Sequence, residues 1–136
     1  MIKGISHIGI AVRSLDEQIP YYKDILGLPL LGTETVQDQG VNVAMFQVGN
    51  TRIELLEPLS EESPIAKFLE KRGEGFHHIA YEVDNCESSL KTVEEKGVRL
   101  IDHKPRLGAG GHLIGFLHPK STYGVLTELT QEHKES

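Results

Sequence analysis

The sequence predicts an α+β fold of two tandem β-α-β-β-β modules, and three observations predict it. First, similar segments occur twice. Ser6-His7-Ile8-Gly9-Ile10-Ala11-Val12 reads like His77-His78-Ile79-Ala80-Tyr81-Glu82-Val83, and Arg52-Ile53-Glu54-Leu55-Leu56 like Leu126-Thr127-Glu128-Leu129-Thr130. Second, each copy opens on an alternating or β-branched run, the mark of a strand, and then turns to apolar residues at helical spacing. Third, three strand-like runs follow each helix. The modules span about residues 1–60 and 74–133 with a linker at about 61–73, within one domain of 136 residues.

In the first module the strand ends at Val12, and Ser14-Leu15-Asp16-Glu17 supplies an N-cap with a glutamate three positions on. Leu15, Ile19, Tyr22, Ile25 and Leu26 share a helical face, Pro20 is tolerable only near the first turn, and Gly27 stops the helix. Strands are expected at Leu30 to Thr35, Val41 to Val48 and Thr51 to Glu57, with Gly49-Asn50 as a hairpin turn. Glu61 to Arg72, with Pro64 near its start, reads as a short linking helix. In the second module Asp84 or Asn85 caps a helix through Leu90, Val93 and Glu94 that Gly97 ends. Strands are then expected at Val98 to His103, Leu113 to His118 and Val125 to Thr130, with a longer turn from Pro119 to Gly124.

Composition narrows the partners. With 14 Lys and Arg against 20 Asp and Glu, the formal charge is −6, so the basic stripe that nucleic acid selects for is missing. The longest apolar run, Ile8 to Val12, is far below the roughly 20 residues of a membrane span. Met1-Ile2-Lys3-Gly4 runs straight into a strand pattern with no signal-peptide core, so the expected location is cytoplasmic. A single cysteine, Cys86, permits no internal disulfide and reads as a small filler beside a helix start. The 7 histidines are many for such a chain and call for sorting.

Parity sorts them. Side chains alternate across a strand, so His7, Gly9 and Ala11 share one face and Ile8, Ile10 and Val12 the other. The bulky face belongs against the helix, while one imidazole followed by two small residues leaves space beside the ring. His78, Ala80 and Glu82 repeat the pattern. In the later strands Ile53, Leu55 and Leu129 pack inward, and Glu54 and Glu128 point the other way. Two imidazoles and two carboxylates at matching places of a repeat, converging on a concave sheet, suit a divalent metal with open positions. Taken singly, each would be an ordinary sheet histidine or a solvated glutamate, and only the repeat raises them above that. His77 has the wrong parity and is expected to be structural or at the rim. His103, His112, His118 and His133 lack repeat partners and are expected on the surface or in loops.

These segments resemble the vicinal oxygen chelate superfamily, whose paired β-α-β-β-β modules form a cupped mixed sheet around a metal. The resemblance covers nearly the whole chain. Within the superfamily the chain looks most like the methylmalonyl-CoA epimerases, through Asn50 to Leu59 with Ser63-Pro64-Ile65-Ala66, Phe76-His77-His78-Ile79-Ala80, and Phe116-Leu117-His118-Pro119-Lys120 running into Gly124 to Gln131. It implies metal ligands at His7, Glu54, His78 and Glu128, a divalent ion such as Co²⁺, Zn²⁺, Ni²⁺ or Mn²⁺, an acyl-CoA substrate and a homodimer.

The implied chemistry has a clear need. A hydrogen between a thioester and a carboxylate is weakly acidic, so its removal requires stabilisation of the enolate oxygen, which a chelating metal supplies. One group removes the proton and another returns one on the opposite face. The resemblance gives one of these roles to Glu128. Some epimerases carry the second group at the position of Val43, which has no titratable side chain, and Glu34, Asp38, Lys104, His112 or a bound water stand open for it. Gly110 and Gly111, in the loop Leu107 to His112, offer backbone N–H groups to a thioester, and Lys120 a charge to its phosphates.

Glyoxalase I is the rival within the fold, because all four ligands fit it equally. Against it, the chain has no Trp and its turn reads His118-Pro119-Lys120-Ser121-Thr122-Tyr123-Gly124 rather than Asp-Pro-Asp-Gly-Tyr. A ring-cleaving dioxygenase would want two histidines and one carboxylate, and a non-catalytic binder has no need for four ligands.

Overall fold

A computed structural model describes residues 1–132, so His133 lies outside the described residues. Contacts divide the chain into two compact units, one of His7–His77 and the other of Met1–Ser6 with the residues from His78 onward. The first strand, β1 (Ile2–Ala11), contributes its opening half to the second unit and its remainder to the first. The α+β repeat of the sequence is what the strands and helices form.

In the first unit the strand order is β2-β3-β4-β1, with β2 at Leu30–Val36, β3 at Val41–Val48 and β4 at Thr51–Pro58. The antiparallel β3 and β4 join through the two-residue turn at Gly49-Asn50, where Gly49 takes φ 58°, the left-handed conformation such turns require. β1 pairs with β4 in parallel, setting His7 opposite Arg52 and Gly9 opposite Glu54. The helix α1 (Leu15–Pro20) is capped by Ser14, whose hydroxyl accepts from the Glu17 N–H. Pro20 lacks an N–H, and beyond it the chain continues as a π-helical turn, Tyr21–Ile25, closed by a bond from Leu26 N–H to the Tyr21 carbonyl. Val12, Leu15, Ala44, Phe46 and Leu55 form the core beneath it. The linking helix α2 (Pro64–Arg72) starts later than Glu61, because Ser63 caps it and Pro64 stands where a missing N–H costs nothing.

In the second unit β5 (Gly75–Val83), whose opening residues fall in the first unit, pairs in parallel with β8 (Thr127–Gln131). Then come β7 (Leu113–Leu117) and the two-residue edge strand β6 (Arg106–Leu107). The helix α3 (Cys86–Glu95) is capped by Asn85 rather than Asp84. It packs on Val83, Leu100, Leu117 and Leu129 through Cys86 and Leu90. Its approach to β7 is close enough that a Cβ on Gly115 would stand 2.6 Å from Leu90 Cδ1.

The strand expected over Val98 to His103 is corrected to a single bridge between Leu100 and Leu117. The Arg99 N–H goes to the Ser121 hydroxyl, and the Asp102 carboxylate accepts the Phe116 N–H at 2.8 Å, a side chain taking the place of a ladder carbonyl. Pro105 then has no N–H to give. β8 likewise starts two residues late, since the Thr122 and Thr127 hydroxyls both donate to the Val125 carbonyl.

The repeat extends to the polar clasps. Glu57, near the end of β4, accepts the Leu15 N–H at 2.8 Å, and Gln131, at the end of β8, accepts the Cys86 N–H at 3.0 Å. Each holds the first turn of its module's helix to the last strand.

Candidate functional site

Register and alternation set one histidine–carboxylate pair in each unit, His7 with Glu54 and His78 with Glu128. In the first unit His7 Nδ1 lies 3.5 Å from Glu54 Oε2. His7 precedes Gly9 and Ala11 on its face, and neither fills the space beside the ring. His7 is 5% exposed and Glu54 4%. Arg52, of Glu54's parity, brings Nε to 3.5 Å from the same carboxylate oxygen.

In the second unit His78 Nε2 lies 3.4 Å from Glu128 Oε1. Both side chains are buried, and Thr130, two residues along β8 on the same face, donates its hydroxyl to Glu128 Oε2 at 2.5 Å. Phe116, opposite Glu128 across β7 and β8, meets the His78 ring edge-to-face with centroids 5.4 Å apart. Packing on one ring face and a carboxylate at one nitrogen fix the imidazole's orientation.

Such groups are expensive to bury. A carboxylate taken from water costs several kcal/mol even after relaxation, and a buried ion pair adds little net stability. A hydrocarbon pair would fold as well, so two repeated imidazole–carboxylate pairs on the faces turned from the helices speak for function.

His77, His103 and His118 take bland places. His77 packs edge-to-face on Phe68, centroids 4.8 Å apart, and burial lowers its pKa to about 4. His103 is exposed beside Glu94, and the His118 ring accepts the Lys120 N–H at 3.1 Å. Cys86 is the expected filler, its thiol pushed up to about 12 by burial, with Glu128 and Asp102 adding to it.

Gly110 and Gly111 adopt φ 72° and 74°. Gly111 lines a cavity of about 410 Å³ with Lys3, Glu82, Asp84, Leu113 and Glu132, to which neither His78 nor Glu128 contributes. Val43 is 1% exposed and, like Met45, on the face of Glu54, with Glu34 directly across β2 and β3 from it. Sequence reasoning missed Arg52, Thr130 and Phe116. The signal for Arg52 and Thr130 was present in parity, since each stands two residues from a predicted carboxylate on its own strand, whereas Phe116 needed the register of β7 with β8.

The sequence profile of the Glyoxalase/Bleomycin resistance protein/Dioxygenase superfamily matches residues 6–116. The Cereibacter sphaeroides ethylmalonyl-CoA/methylmalonyl-CoA epimerase is 41% identical, over 96% of this chain and 99% of its own. The human mitochondrial methylmalonyl-CoA epimerase is 41% identical, over 93% of this chain and 73% of its own. A solved methylmalonyl-CoA epimerase in complex with methylmalonyl-CoA and NH4+ is 39% identical, with TM-score 0.94 over 97% of this chain and 96% of that one. A probable lactoylglutathione lyase of Synechocystis is more distant, 25% identical over 95% of this chain.

Proposed function

The chain belongs to the glyoxalase/bleomycin resistance protein/dioxygenase superfamily, and on that footing we propose that it is a metal-dependent methylmalonyl-CoA epimerase. One observation carries this: identity near 40% with epimerases along almost the whole chain, on a sheet that repeats a buried histidine–carboxylate pair. The glyoxalase alternative is represented by a more distant relative, 25% identical.

His7, Glu54, His78 and Glu128 are the residues assigned to a divalent cation. Their chemistry fits: two imidazoles and two carboxylates, all buried, paired within each unit as His7 with Glu54 and His78 with Glu128. When bound, the cation stabilises the negative charge that builds on the substrate's carbonyl oxygen as the α-proton leaves. Glu128 removes or returns that proton at its carboxylate, and Thr130 holds the other oxygen still. Val43 cannot carry the opposite-face proton. Among Glu34, Asp38, Lys104, His112 and a water, the register favours Glu34. Gly110, Gly111 and Lys120 are assigned to the thioester and its tail, and the full reading is of a cytoplasmic homodimer working as one two-module domain. No helix among the described residues is long and apolar enough to cross a membrane.

The test is to supply one epimer of methylmalonyl-CoA to protein loaded in turn with Co²⁺, Zn²⁺, Ni²⁺ and Mn²⁺, and to follow the other epimer chromatographically. Interconversion abolished by chelator is expected. Inactivity with every metal, together with turnover of a methylglyoxal–thiol adduct, would replace this reading with the lyase.

A further inference from the structure

Arg106 lies on the face that carries His78 and Glu128, and the mechanism above does not use it. The register fixes this: Arg106 stands opposite Ile114, while Phe116, two residues on and therefore on the same face, stands opposite Glu128. Two strand spacings of about 4.8 Å separate the β6 and β8 backbones. The guanidinium sits over the Phe116 ring, 5.8 Å from its centroid, and that ring makes a T-shaped contact with His78. A permanent positive charge is therefore one aromatic ring away from His78.

The charge is held in place. Asp102 Oδ1 lies 3.2 Å from Arg106 Nε, while Oδ2 accepts the Phe116 N–H, so one carboxylate ties the cation to the strand whose ring it covers. The Arg106 side chain is 34% exposed, enough to meet a ligand. The fold itself does not demand a cation here. In the first unit Met45 opposes Glu54 as Phe116 opposes Glu128, which makes Glu34, opposite Val43, the counterpart of Arg106 opposite Ile114. Where the metal-ligand pairs repeat, this position changes sign.

A chain of net charge −6 that takes a polyanionic thioester needs a local cation on the reacting face. We propose that Arg106 receives an anionic group of the acyl-CoA substrate, its free carboxylate or a phosphate of its tail, and so selects anionic thioesters. This rests on the epimerase reading.

The experiment compares wild type, Arg106→Gln and Arg106→Lys on methylmalonyl-CoA and on the phosphate-free methylmalonyl-pantetheine, with binding of propionyl-CoA and of uncharged propionyl-pantetheine measured alongside. Arg106→Gln is expected to raise KM for methylmalonyl-CoA about tenfold or more, the scale of one charge-assisted hydrogen bond, with kcat within about threefold. Lysine, which keeps the charge but not the fork, recovers part of the loss. A loss confined to the CoA esters identifies the phosphates, and one confined to the methylmalonyl compounds identifies the carboxylate. Unchanged KM, or equal weakening of propionyl-pantetheine, overturns the proposal. Should Arg106→Gln fail to fold, Arg106→Lys and the wild-type salt dependence decide, a KM indifferent to both salt and the lysine substitution being the overturning result. A wild type inactive on methylmalonyl-CoA would instead contradict the epimerase reading itself.

Discussion

Thr130 donates its hydroxyl to Glu128 at 2.5 Å, with both side chains sealed from water. The bond leaves one carboxylate oxygen anchored and directs the other toward His78. Partners of this kind orient a ligating carboxylate, and their loss lowers metal affinity or activity by about 10–100-fold. Thr130→Val, matched in shape, should show that loss in a chelator-competition titration and in turnover, while Thr130→Ser should retain most of both. Equal behaviour of the two variants would mean the hydroxyl does not position Glu128.

His77 carries the clearest pH signature. Its folded pKa of about 4 lies below the ordinary 6.5, so the fold favours the neutral ring and the unfolded chain takes up a proton first as pH falls. The stability from His77 is thus complete above about pH 6.5 and drains away toward pH 4. Denaturant titrations from pH 7 to 4 should fall less steeply for His77→Phe, which keeps the aromatic contact with Phe68. The variant should also retain metal, whereas His7→Ala should lose it.

The contact of β7 with α3 predicts a packing defect. A methyl on Gly115 meets Leu90 at 2.6 Å, so Gly115→Ala should destabilise by about 1–3 kcal/mol, the usual cost of overpacking. Adding Leu90→Val should recover part of it in thermal melts. Additive losses would show that the two side chains do not conflict.

Cys86 should resist alkylation by iodoacetamide at pH 8 in the folded protein and react once denaturant is added, because burial holds the thiol protonated up to about 12. Rapid modification of the native protein would contradict that burial.

Parity made the four central side chains legible in the sequence. His7 and His78 each precede small residues on one strand face, and Glu54 and Glu128 oppose inward leucines, so a period of two with a repeat was enough. What escaped was set by side chains competing with the backbone. Asp102 takes the Phe116 N–H and reduces an expected strand to one bridge, and two threonine hydroxyls claim Val125 and delay β8. Arg106 and Phe116 gained meaning only from register, which a sequence does not print.

The epimerase reading stands on proton transfer at the α-carbon of methylmalonyl-CoA, with Glu128 as one of the acting groups. In deuterated water, NMR of each epimer in turn with metal-loaded protein should show loss of the α-proton signal, and Glu128→Gln should abolish that loss for the epimer whose proton faces Glu128, even with metal bound. A metal-loaded wild type that leaves the α-proton intact, or a Glu128→Gln variant that exchanges it at the wild-type rate from both epimers, would contradict a role for Glu128 in proton transfer.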